Sequence, residues 1–185
     1  MGGLIALCLI LWGIFSWLAP SVMVKITDGL GMESACVRYS ISVYKKSGEI
    51  DDLAVVVERG FLAEKYNISA EYGQELLARE DFTDFVNAKQ ETGYEQTACG
   101  ITAVSLYYTG KSDDALRIAC SYSEGVFPKN GGLSMLLSVA VSNVNGKDFV
   151  REIREAIENI ELDPQDVEGI ANRDEALAVC DAFLN

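Results

Sequence analysis

Residues 99 to 126, CGITAVSLYYTGKSDDALRIACSYSEGV, read as one complete helical hairpin, and that reading decides the fold. Ala103, Leu106 and Tyr107 recur at helical spacing before Gly110, and Ala115, Ile118, Ala119 and Tyr122 do so after it. Gly110 marks the turn. Ser112 stands where a side chain caps the second helix, and Asp113 and Asp114 fall in its first turn, where free N–H groups and the helix dipole favour negative charge.

Working outward, the same turn recurs upstream. Ser47-Gly48-Glu49-Ile50-Asp51-Asp52-Leu53 matches Thr109-Gly110-Lys111-Ser112-Asp113-Asp114-Ala115 at an offset of 62 residues. The hairpin around it runs from Met32 to Lys65, with Val37, Ile41 and Tyr44 before Gly48 and Leu53, Val56, Val57 and Phe61 after it. Half of that offset is close to the length of one helix-hairpin repeat. A middle unit lies between the two, with Tyr72, Leu76 and Leu77, a break near Glu80, then Phe82, Phe85 and Val86; it has no turn glycine. Downstream, Asn130-Gly131-Gly132 interrupts helix formation. A fourth hairpin follows, with Leu133, Leu136, Leu137, Ala140 and Val144 before Asn145-Gly146 and Phe149, Val150, Ile153, Ile157 and Ile160 after it. Asp163-Pro164 reads as a cap with a first-turn proline. Asn172 with Glu175 reads as the start of a last helix carrying Ala176, Leu177, Cys180 and Phe183. Val55-Val56-Val57 is too short and too embedded in helical spacing to be a strand.

The opening hairpin resembles a tetratricopeptide repeat, with a small residue in the first helix (Ala103), a turn glycine (Gly110) and an alanine early in the second helix (Ala115). Cys99 stands at the family's large aromatic, Leu106 at its tyrosine, and Phe127 rather than Pro128 at its closing proline. The resemblance implies an α-solenoid of stacked hairpins, whose concave surface holds a peptide or a partner protein.

Every charged residue lies at or beyond Lys25, so the net charge of −13 belongs to residues 25 to 185. Such a body does not bind nucleic acid by counterion release. Residues 3 to 24, GLIALCLILWGIFSWLAPSVMV, carry no charge. As a helix rising about 1.5 Å per residue they would reach roughly 33 Å, against a hydrocarbon core of about 30 Å, which predicts a transmembrane anchor. A cleaved signal peptide would need a basic region before its apolar core and a small-x-small site, both missing here. A buried core helix is the third reading. Lys25, Arg38, Lys45 and Lys46 outnumber Asp28 and Glu33 just after this segment, so the positive-inside rule places the body in the cytoplasm.

Chemical motifs are few. The five cysteines, Cys8, Cys36, Cys99, Cys120 and Cys180, are scattered, and no histidine completes a zinc set or a nucleophile–base pair. Gly110-Lys111-Ser112 ends like a phosphate-binding loop, but position 105 is serine and a helix precedes it. Asn67-Ile68-Ser69 accepts a glycan only on a lumenal face. Asp163 to Glu175 is acidic like a calcium loop, yet Val167 falls at a ligand position and Gly169 is one place late. Glu80, Asp81 and Asp84 read as a solvated helix start rather than paired catalytic carboxylates. Cys99 and Cys120 read as core packing. Tyr94, Tyr107 and Tyr108 are the candidate partner-binding residues, because aromatic side chains anchor interfaces; their competing role is inter-helix packing.

The sequence therefore predicts an all-α protein, with an N-terminal transmembrane helix in residues 1–25 and an α-solenoid of tetratricopeptide-like hairpins in residues 26–185. The expected function is a membrane-anchored scaffold for protein–protein interaction, with no catalytic, cofactor or metal residues. Its acidic surface would steer a partner rich in basic residues. The alternative is a small all-α enzyme or ligand-binding bundle that uses Asp, Glu or Tyr in a pocket.

Overall fold

The computed structural model describes residues 12–13, 18–89, 93–123, 125–143 and 146–185. It is all-helical there, with an isolated parallel bridge between Gly125 and Leu162. The helices are α1 (Pro20–Gly29), α2 (Glu33–Ser47), α3 (Ile50–Leu62), α4 (Tyr66–Leu77), α5 (Phe82–Ala88), α6 (Tyr94–Tyr108), α7 (Ser112–Ser121), α8 (Gly132–Ala140), α9 (Lys147–Glu158) and α10 (Val167–Leu184).

Among the described residues no helix is long and apolar enough to cross a membrane. This corrects the expected N-terminal transmembrane helix, together with the single-pass membrane localisation and cytoplasmic orientation built on it. Residues 3–11 and 14–17 of the expected span lie outside the described residues. In its described part, Ala19 leaves helical geometry (φ −136°, ψ 63°) and Pro20 opens a separate helix of ten residues. The apolar character of residues 20–24 serves packing instead. Met23 is buried on the face of α1 that lies against α2, as is Thr27, whose hydroxyl donates to the Met23 carbonyl at 2.7 Å. Lys25 and Asp28 then sit exposed on the same helix, and Asp28 pairs with Arg59 of α3.

The predicted turns form as the glycines require. Gly48 ends α2 at φ 69° and Gly110 follows α6 at φ 79°, a left-handed region that side-chain-bearing residues reach only with strain. Asp51 and Asp52 lie in the first turn of α3, and Asp113 and Asp114 in that of α7. Ser112 is not the cap: Lys111 holds that position and α7 has no side-chain cap.

The two hairpins run in opposite senses. Tyr44 near the end of α2 meets Tyr72 and Glu75 in the second half of α4, so α2 and α4 are parallel. Tyr66 at the start of α4 stacks on Tyr108 at the end of α6, so α4 and α6 are antiparallel. The cause is α5. A full helix there would restore the sense of the array, but α5 has only 7 residues and instead plugs one end of the core with Phe82 and Phe85. The Gly48 turn consequently shares an end with Arg79, whose guanidinium donates to the Gly48 carbonyl at 3.2 Å, while Gly110 lies at the opposite end beside Tyr66.

Two apolar clusters fill the interior. One joins Leu53, Val56 and Val57 of α3 with Leu76, Phe82, Phe85 and Ala98; the other joins Ala103 and Leu106 of α6 with Leu133, Leu136, Val150, Ile153 and Ile157. Helix α6 contributes to both, and its run of small and apolar residues from Ala98 to Leu106 suits a helix enclosed on all sides. On α9, Val150, Ile153 and Ile157 at helical spacing are fully buried. Helix α10 starts earlier than predicted, because Asp166 caps it by accepting from the Gly169 N–H at 2.9 Å; Asn172 lies inside the helix and donates to the Phe127 carbonyl. Asp163 accepts from the Gln165 N–H in a turn.

Candidate functional site

The three tyrosines singled out by sequence have different surroundings. Tyr94 opens α6 and is buried, with its ring edge-on to Phe85 at 5.5 Å, the Lys89 ammonium over it, and its hydroxyl 3.0 Å from Glu58. It packs α6 against α3 and α5 and presents no surface. Tyr107 and Tyr108 end α6, where the Gly110 turn leaves their rings at the end of the molecule.

These two rings are the middle of a continuous row. Phe61 of α3 meets Tyr66 of α4 edge-on at 6.0 Å, and Tyr66 stacks on Tyr108 at 4.3 Å. Tyr108 meets Tyr107 at 6.0 Å, and Tyr107 stacks on Phe149 of α9 at 5.0 Å. Four helices thus supply five rings, in the stacked and edge-to-face arrangements that the aromatic quadrupole favours. Tyr108 is 51% exposed, the most open large aromatic of the row. Burial raises the Tyr66 hydroxyl above its ordinary value, and Tyr108 and Glu64 add to the effect, so Tyr66 stays a neutral donor at neutral pH.

Beside the row lies an open cleft of about 830 Å³ between the α6–α7 and α8–α9 turns. Tyr107, Tyr108 and Phe149 form its aromatic wall, and Ser112, Ser142 and Asn143 supply polar groups. The Asn143 amide donates to the Tyr107 hydroxyl at 3.1 Å. No charged side chain is among the described lining residues. The cleft therefore offers apolar contact with a few hydrogen-bonding groups, the composition of a recognition surface.

Phe61, Tyr66 and Phe149 were not singled out by the sequence reading. Phe61 and Phe149 stand in the sequence as packing residues of their own helices and Tyr66 has no marked place, and nothing local links them to Tyr108. The reversal at α5 links Phe61 and Tyr66 to Tyr108 by bringing the start of α4 to the end of α6, and Phe149 joins through Tyr107.

The other polar candidates are held elsewhere. Arg79 grips Asp81 through two hydrogen bonds of 2.8 Å, which hold the Asp81 carboxyl below its ordinary value. Among the described residues no group of three or more Cys, Asp or Glu is placed to hold a metal ion. Cys36, Cys99 and Cys180 are buried free thiols. Burial pushes the Cys99 thiol up to about 12 and that of Cys180 to about 11, so both are protonated packing residues. Comparison with protein-family models, with curated proteins and with solved structures gives no match.

Proposed function

We propose that this chain is a helical-hairpin interaction module, tetratricopeptide-like in the layout of its turns, that holds a segment of a partner protein against the aromatic row. The observation that carries this reading is the five-ring row ending in exposed Tyr108 beside a cleft whose described lining is uncharged. Rigid aromatic side chains supply large contact area at small entropic cost, which is why they dominate interface anchors. The net charge of −13 favours a partner segment carrying Lys or Arg around an apolar anchor, through steering rather than a defined ion pair. The cleft gives no support to a bundle working through paired carboxylates, because neither Asp nor Glu is among its described lining.

The test is selection from a displayed random-peptide library on the wild type and on a Tyr66→Ala/Tyr108→Ala variant shown to fold by circular dichroism. The reading predicts enrichment of basic-flanked apolar peptides on the wild type, weakened by salt and lost on the variant. Equal enrichment on both proteins contradicts it.

A further inference from the structure

The hydroxyls that line the cleft beside the aromatic row narrow what it can hold. The Tyr107 hydroxyl accepts from the Asn143 amide at 3.1 Å, which leaves its own proton for a ligand. The Tyr108 and Ser112 hydroxyls donate to no acceptor in the chain, and α7 begins at Ser112 without a side-chain cap. Ser142 differs, because its hydroxyl is taken by the Ser138 carbonyl at 3.0 Å. The described lining thus carries three O–H donors to spare and no carboxylate to accept from a ligand. Along the row, the ring centroids from Tyr66 to Phe149 follow one another at 4.3, 6.0 and 5.0 Å. That run accommodates about five residues of a polyproline II helix, which rises about 3.1 Å per residue.

We propose that the segment held in this cleft is proline-rich and lies there as a polyproline II helix, an inference that rests on the interaction-module reading and names the ligand of the same site. A peptide docks on a protein surface in one of three backbone forms, and hydrogen bonding separates them here. An added strand needs an exposed sheet edge, and the described residues contain only the isolated Gly125–Leu162 bridge. An amphipathic helix spends its carbonyls on itself, so seating one would desolvate the Tyr107, Tyr108 and Ser112 hydroxyls without giving them acceptors. A polyproline II segment makes no internal hydrogen bonds, so its carbonyls stay free to accept from these donors. Proline also brings no N–H that would need an acceptor in this cleft. Its rings pack on exposed Tyr108 and on the Tyr107–Phe149 stack, and its fixed φ lowers the entropy cost of ordering the segment. The net charge of −13 favours Lys or Arg at the ends of the segment.

Fluorescence anisotropy on the full chain with two labelled peptides tests this. One peptide carries three Pro-Pro-Leu units between pairs of lysines; the other has alanine in place of every proline. The proline peptide is expected to bind the wild type at least about tenfold more tightly than the alanine peptide. Tyr108→Ala, at an exposed position, is expected to weaken the proline peptide about tenfold or more with an unchanged circular dichroism spectrum. Ser112→Ala removes one donor at no cost to helix propensity. It is expected to weaken the proline peptide about threefold or more and to leave the alanine peptide unchanged, and it serves if Tyr108→Ala does not fold. Equal affinity of the wild type for both peptides, lost on Tyr66→Ala/Tyr108→Ala, overturns the proline inference and leaves the interaction module standing. A proline peptide whose binding is indifferent to both Tyr108→Ala and Ser112→Ala overturns the inference and the choice of site together. Failure of the proline peptide to bind also overturns the inference, and selection from the displayed library then judges the module by itself.

Discussion

Gly48 and Gly110 are where single residues constrain this fold most. Both take positive φ at the end of a helix, and a Cβ built at either meets no other atom within 4 Å, so any penalty for a side chain is conformational rather than steric. Gly48→Val or Gly110→Val is expected to cost about 1 kcal/mol or more, read as a lower urea midpoint at unchanged slope. An unchanged midpoint at both sites would contradict the turn assignment. Cys99 makes a different residue-level prediction. Its folded thiol value lies near 12, above the ordinary 9.0, because burial disfavours the thiolate. The folded chain holds that proton while the unfolded chain releases it. The contribution to stability is complete below pH 9 and is lost as pH rises towards 12. Urea midpoints at pH 7 and pH 10.5 are expected to fall less for Cys99→Ala than for the wild type, and an equal fall in both would remove Cys99 from the alkaline sensitivity.

At the scale of elements, α4 crosses α6 closely at a glycine. A Cβ on Gly73 would collide with the Thr102 Oγ1, whose hydroxyl donates to the Ala98 carbonyl at 2.8 Å. Gly73→Ala is therefore expected to destabilise by about 1–3 kcal/mol through overpacking, measured by thermal or urea denaturation. A stabilised Gly73→Ala would contradict this crossing. The core itself is graded. Leu106 is fully buried and Leu116 only packs against the cluster from its edge, so Leu106→Asp is expected to abolish folding while Leu116→Asp lowers the melting temperature and leaves a folded protein. Helices with one apolar face were legible in sequence: α9 declares itself through Val150, Ile153 and Ile157, and the α2–α3 and α6–α7 hairpins through their glycines and paired aspartates. The start of helix α10 was not, because its cap, Asp166, lies six residues before Asn172. Nor was the consequence of α5, since a short apolar group at Phe82, Phe85 and Val86 reads the same whether it forms a full helix or a plug.

For the whole molecule, sequence periodicity was sufficient for the all-α class and for most helix positions, and insufficient wherever long-range geometry decides. The uncharged run before Lys25 is an instance. Hydropathy alone does not distinguish a span from a helix that buries Met23 on a neighbour, and Pro20 starts such a helix instead. The candidate site is another. Tyr107 and Tyr108 were legible as candidates, Tyr94 proved to be interior, and the partners Tyr66 and Phe149 come from helices whose placement no local signal records. The reversal at α5 sets Tyr66 against Tyr108, and with Phe149 on Tyr107 the rings form one row. Proton NMR of the full chain with ring-labelled tyrosine and phenylalanine tests it most directly. The account predicts ring-to-ring cross-peaks for Tyr66 with Tyr108 and for Tyr107 with Phe149, whose centroids lie 4.3 and 5.0 Å apart, with the first pair lost in Tyr108→Ala. Absence of both cross-peaks in a folded wild-type chain would contradict it.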